Sequence, residues 1–279
     1  MKHKPIRPRL WTKDFSCITV ATVLSAIGGE AMNLPISLLV FDQTQSTLLS
    51  ALILVCGMLP DMILPILVAP LIDKGGKKKW IVGLDVLLAT VYAAMGIWIT
   101  GHAFSYGLYV GFTLVVGTIS VFYRLAFDAW YPSLIPVGAE QRGYSVSATL
   151  YPLVTILMAP VATFLYSHVP MGTLFLVVSG LTVLSCLVEG CIREVRKAAE
   201  EAYTFRQYRS DIREGFAFLK REKGIRNIYT YMSITQGASS GVEVLTQAYY
   251  QTQPWLTVTM LGFLKSAEML GRVLSGLLQ

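Results

Sequence analysis

Eight stretches of this chain run for about 20 residues or more with almost no charge, and this limits the folds open to it. In water such helices would expose apolar surface on every side, whereas about 20 residues at 1.5 Å rise cross the hydrocarbon core of a bilayer. The stretches are Phe15 to Phe41, Leu48 to Ile72, Trp80 to Thr100, Phe104 to Phe127, Ser145 to Tyr166, Gly172 to Ile192, Ile228 to Tyr250 and Leu256 to Leu278. They are too long for barrel strands and lack the alternation of an outer-membrane barrel. The sequence therefore predicts an all-α, multi-pass membrane protein with the lipid bilayer as its surroundings. Hydrophobic residues are 54% and charged residues 14% of the chain, against roughly 45–50% and 25% in an average soluble protein. That balance excludes disorder, a fibre and a nucleic-acid-binding domain.

The cations give the orientation. Lys2, Lys4, Arg7, Arg9 and Lys13 precede the first span, Lys74, Lys77, Lys78 and Lys79 separate the second from the third, and Arg124 and Arg142 flank the loop after the fourth. Ten more of the 23 basic residues lie between Arg193 and Arg226, and the alternate loops hold none. By the positive-inside rule the basic side is cytoplasmic, and so is the N-terminus, in a cell-membrane protein. The first apolar run is longer than a signal-peptide core, so no cleaved leader is expected. The same cations would also attract acidic lipids.

Enzyme chemistry and metal sites are not expected. His3, His102 and His168 fall in the N-terminal tail and two outer loops, where they cannot share a metal with a helix-borne motif. Cys17, Cys56, Cys186 and Cys191 all lie in spans, at spacings that match no zinc or redox motif. The run from Gly75 to Trp80 lacks the spacer and the Ser or Thr of a phosphate loop. No cofactor is therefore expected, and an ion gradient is the expected drive for any transport.

The loop after the second span reads Ala69, Pro70, Leu71, Ile72, Asp73, Lys74, Gly75, Gly76, Lys77, Lys78. It resembles the signature loop of the major facilitator superfamily, Gly-x-x-x-Asp-(Arg/Lys)-x-Gly-(Arg/Lys)-(Arg/Lys), with Ala69 replacing the first Gly. In that reading Asp73 caps a neighbouring helix N-terminus, Gly76 permits the tight turn, and Lys74, Lys77 and Lys78 anchor the cytoplasmic face. Phe122 to Pro136, ending Tyr-Pro-Ser-Leu-Ile-Pro, is similar to the fourth-helix exit of the enterobactin-exporter and macrolide-efflux-like members. Asp211 to Leu219 resembles the amphipathic helix before their seventh span, with an apolar stripe of Phe205, Tyr208, Ile212, Phe216 and Leu219. Ala159 and Pro160 sit where the family has the Gly-Pro of its fifth-helix antiporter motif, and the proline implies a bend or a freed carbonyl.

The resemblance implies twelve spans in two six-helix halves. The chain is accordingly expected to be a truncated or partial product that stops after the eighth span. Its expected parts are a six-helix bundle over residues 1–192, a cytoplasmic loop with an amphipathic helix over 193–226, and the first two helices of the second half over 227–279. The expected function is proton-coupled efflux of an amphipathic small molecule, such as a drug, macrolide or siderophore, by alternating access. The alternatives are a nutrient or metabolite symporter, and a non-transporting sensor, scaffold or inactive fragment. The sequence leaves the oligomeric state open.

Ionisable residues inside hydrocarbon are functional candidates by default. Glu30 stands roughly 22 Å up the first span from Phe15 and Asp61 roughly 18 Å up the second from Asp73, both near the midplane. Transporters bind substrate and coupling ion there, and a carboxylate taken out of water binds a proton more readily. Both are candidates for proton or substrate binding. Asp61 follows Pro60, and its other reading is a carboxylate that satisfies freed backbone. Asp85, about 9 Å into the third span, is expected to form a cytoplasmic gate network with Asp73 and the i, i+4 pair Arg124 and Asp128. In the eighth span Lys265, Glu268 and Arg272 are spaced to neutralise one another.

Overall fold

The computed structural model describes residues 9–74, 76–193 and 205–277. They form α1 (Lys13–Thr44), α2 (Thr47–Lys74), α3 (Lys77–Gly101), α4 (Tyr106–Leu134), α5 (Glu140–His168), α6 (Met171–Gly190), α7 (Phe205–Arg221), α8 (Lys223–Thr252) and α9 (Val258–Leu277). No strand occurs among the described residues. The architecture is all-helical because, inside a bilayer, only a helix or a closed barrel satisfies every backbone group within the chain.

Local chemistry sets the helix ends. Thr12 caps α1 by accepting from the Phe15 N–H at 3.2 Å, and Asp14 complements the dipole in the first turn. At its other end Gln45 turns left-handed at φ 52° and donates its N–H to the Phe41 carbonyl at 2.7 Å. α4 continues past the predicted end at Phe127 as far as Leu134, because Trp130, Tyr131 and Leu134 are buried and hold its last turns on the core. The Tyr131 hydroxyl donates to the Gly143 carbonyl at 2.8 Å and so ties α4 to the start of α5.

Among the described residues, six helices, α1 to α6, are both long and apolar enough to cross a membrane. α8 and α9 are less apolar than these six. At 30 and 20 residues they have the length, but Gln236, Glu243, Gln247 and Gln251 in α8, and Lys265 and Glu268 in α9, lower their apolarity. Such faces need a protein partner or water beside them.

α1 is the hub of the first six helices and packs on both α5 and α6, while α3 lies along α6 and α2 along α4. In lipid no hydrophobic drive pulls helices together, so close contact and hydrogen bonds must do so. At the α2–α4 crossing a Cβ on Gly117 would stand 2.6 Å from the Gly57 carbonyl oxygen, so only glycine permits this approach. Phe15, Ile18, Ile72, Ile81, Trp130 and Ile192 form a core at the end bearing the basic loops. Met32, Val40, Tyr92, Phe112 and Phe175 form another towards the opposite end. A smaller cluster of Leu34, Leu38, Tyr166, Tyr250 and Leu261 joins α1, α5, α8 and α9.

α7 is the helix expected before the seventh span. The Tyr208 hydroxyl donates to the Leu67 carbonyl at 2.9 Å, docking α7 beside the end of α2. Tyr208 and Ile212 of the stripe are half-buried, and Phe216 and Leu219 are exposed; the Phe205 side chain lies outside the described residues.

Candidate functional site

Glu30 is held where four helices meet. It projects from α1 towards α5, where the Thr155 hydroxyl, also within reach of the Tyr151 carbonyl, donates to its Oε1 at 2.8 Å. The Lys265 ammonium of α9 donates to Glu243 Oε1 of α8, and both charges act on Glu30 through space. α8 and α9 enclose a cleft of about 290 Å³ lined by Ser239, Glu243, Thr246, Leu264, Lys265 and Glu268, among others. Lys265 thus has a counter-ion on another helix, a partner that its spacing along α9 does not reveal. The chain reverses between α8 and α9 and brings the two faces opposite each other. Glu268 lines the same cleft, and the Arg272 side chain lies outside the described residues.

Asp61 is not the backbone-satisfying carboxylate that Pro60 suggested. Arg124 of α4 grips it with two bonds, Nη2 to Oδ1 at 2.7 Å and Nη1 to Oδ2 at 3.2 Å. The close α2–α4 crossing at Gly57 and Gly117 creates this pairing, which no spacing within one helix reveals. The two side chains are 46% and 52% exposed, and a charge pair on a spanning surface needs water or protein beside it. Asp61 and Glu30 have separate partners.

The expected gate network divides. Asp128 feels the charge of Arg124 one turn away, while the Asp73 and Lys74 side chains lie outside the described residues. Asp85 faces elsewhere, into a pocket beside Glu189 and Ser185 of α6. α3 turns this residue inward, 2% exposed, against α6. In the signature loop Ala69 and Pro70 lie in the last turns of α2, and Gly76 precedes α3 at φ −64°, a value any residue adopts. A turn requiring glycine is therefore not the reason for Gly76. Lys78 donates to the carbonyls of Gly190 at 2.9 Å and Ile192 at 2.7 Å, capping α6 at its negative end. Lys77 opens α3 beside it.

Ala159 and Pro160 lie at the seam between α5 and α9. A Cβ on Gly262 would meet the Ala159 carbonyl oxygen at 2.9 Å and Pro160 Cα at 3.0 Å. Pro160 has no N–H to offer the carbonyl four residues back, that of Ile156. The freed carbonyl accepts the Ser266 hydroxyl of α9 at 2.7 Å, so the carbonyl expected from Pro160 exists and its partner comes from another helix.

Two groups escaped the sequence reading. Glu189 is the one charged residue in α6 and is fully buried, with the Tyr123 hydroxyl donating to its Oε1 at 2.6 Å; a lone acid in an apolar run was the available signal. The other is uncharged: Gln247 Nε2 donates to Ser37 Oγ, Ser37 and Ser50 hydroxyls are 3.0 Å apart, and Gln251 Nε2 reaches Ser50 Oγ at 3.4 Å. Together with the Leu34, Leu38 and Leu261 cluster, it joins α8 and α9 to α1 and α2 at the end opposite the basic loops. Towards the basic end α8 is exposed from Arg226 to Ser239.

Known proteins resemble this chain over nearly its whole length. Macrolide efflux protein A from Streptococcus pyogenes, and the protein of that name from its serotype M6, are each 23% identical to it over 96% of this chain and 67% of their own length. This likeness agrees with the macrolide-efflux-like branch that the fourth-helix and α7 motifs indicate. The sequence profile of the Major Facilitator Superfamily matches residues 18–279, in register with six apolar spans and an all-helical fold. The chain belongs to the Major Facilitator Superfamily, whose members are multi-pass membrane transporters of small molecules.

Proposed function

We propose that this protein is a proton-coupled secondary transporter that exports an amphipathic small molecule, of macrolide-like character, across the cell membrane by alternating access. The observation that carries the reading is the position of Glu30: a carboxylate of the first six helices hydrogen-bonded to Thr155 and in electrostatic reach of Lys265 and Glu243 on α8 and α9. A group at that junction can change its charge and its partners in one step, which is what coupling requires. In this reading residues up to 192 form one half, residues from 227 belong to the other, and the segment between them lies in the cytoplasm with the N-terminus. Asp61 with Arg124 lines the route, and the loop of Asp73, Lys74, Lys77 and Lys78 with Asp128 works at the cytoplasmic gate. Contact at the end opposite the basic loops corresponds to a cytoplasm-facing conformation. The macrolide character comes from the two relatives' names and the efflux direction from the branch.

The test is drug accumulation in everted vesicles bearing the protein. Uptake is expected to require an imposed pH gradient and to collapse with an uncoupler. Uptake indifferent to both would end the proton-coupled reading.

A further inference from the structure

Two buried carboxyl groups face each other away from the Glu30 junction. Asp85 of α3 is 2% exposed and Glu189 of α6 is fully buried, and each lies within hydrogen-bonding reach of the other. Glu189 Oε1 is satisfied by the Tyr123 hydroxyl of α4 at 2.6 Å. Two oxygens, Asp85 Oδ2 and Glu189 Oε2, are buried without any hydrogen-bond partner. An unpartnered carboxylate oxygen inside a protein is costly, and two anions in contact in a low-dielectric interior repel strongly.

Among the described residues, the surroundings offer no counter-ion for two negative charges. The groups that face the pair are the Tyr123 hydroxyl from α4, Ser185 and the Cys186 thiol from α6, and, through Ser185, the Ser25 hydroxyl of α1 at 2.9 Å. All are neutral. Lys78, the cation at the start of α3, spends its ammonium on the carbonyls of Gly190 and Ile192. The smallest addition that supplies a donor and removes one of the two charges is a hydrogen between the carboxyl groups.

We propose that Asp85 and Glu189 form a second proton-binding site of this protein, holding one proton between them with Tyr123 as its fixed donor. The site is independent of Glu30 and of the transport reading. It lies near the end of the bundle that bears the basic loops, between α3, α4 and α6. A proton entering or leaving here would change the charge at the α3–α6 seam.

The experiment uses the purified protein in the Glu30→Gln background, which removes the other candidate. Infrared spectra at neutral pH are expected to show the carbonyl stretch of a protonated carboxyl group. That band should disappear in Asp85→Asn and in Glu189→Gln, since each amide donates to the remaining carboxylate and removes the need for the proton. Denaturing the protein in lightly buffered solution should release about one proton more from the parent than from either variant, as the unfolded carboxyl groups ionise near pH 4. If neither variant folds, the band in the parent decides alone: its absence overturns the proposal. An equal proton release in parent and variants overturns it as well. So does protection of the parent by sodium ions with no such band, which would make the pair a cation site.

Discussion

Ser266→Ala removes the hydroxyl that occupies the Ile156 carbonyl at 2.7 Å across the α5–α9 seam. That carbonyl needs an external donor only because Pro160 cannot supply one. Hydrogen bonds between helices in membranes average about 0.6 kcal/mol and reach about 1.7 kcal/mol. The substitution should therefore lower the folding constant roughly three- to eighteen-fold. Pro160→Ala restores an N–H to α5 and with it the intrahelical bond to Ile156. In that background Ser266→Ala should cost close to nothing, so the coupling between the two positions should equal nearly the whole single-mutant effect. The assay is a four-member double-mutant cycle by SDS titration of the purified protein in mixed micelles. An equal cost for Ser266→Ala in both backgrounds would refute the reasoning, placing the serine's contribution in its other bond, to the Gly262 carbonyl at 3.2 Å, or in packing.

Glu30→Gln keeps size and hydrogen bonding but not titration, so substrate counterflow should survive while pH-driven uptake in everted vesicles is lost; undiminished pH-driven uptake would remove Glu30 from coupling. Gly262→Ala forces a Cβ to within 3.0 Å of fixed backbone at Pro160 and should cost about 1–3 kcal/mol, whereas Gly237→Ala, which meets nothing within 4 Å, should be neutral or stabilise by up to about 1 kcal/mol in the same SDS titration. The Asp61–Arg124 pair is half-exposed, and a coupling of about 1 kcal/mol or less is expected; Arg124→Gln alone should impair uptake more than the double variant with Asp61→Asn, and identical losses would show that the two act separately. Cysteines at Gln43 and Ser105 should react with an impermeant maleimide from outside intact cells and one at Lys79 should not; the opposite pattern would invert the proposed topology.

Much of this protein is legible without coordinates, for a physical reason. Membrane crossing depends on the apolarity of about 20 consecutive residues, a local property, and the runs giving α1 to α6 are visible in the sequence to within a few residues at most ends. The exception at α4, where Trp130 and Tyr131 extend the helix, arises from packing that a hydropathy pattern does not contain. The signature loop, the fourth-helix exit and the segment of α7 carry the family because each is contiguous.

Partner choice is not contiguous. The sequence placed Glu30, Asp61, Asp85 and Lys265 inside spans but did not find the partners they take. In the folded chain rotation and crossing of helices decide instead: Arg124 goes to Asp61 through a glycine contact, Lys265 to Glu243 across a hairpin, and Asp85 to a glutamate 104 residues further along the chain. Pro160 announced a free carbonyl, but only the tertiary structure shows Ser266 filling it. Apolarity and charge are read one residue at a time and decide what enters the membrane. Which polar groups meet there depends on the relative rotation of helices remote in sequence, and that is fixed only when all of them pack.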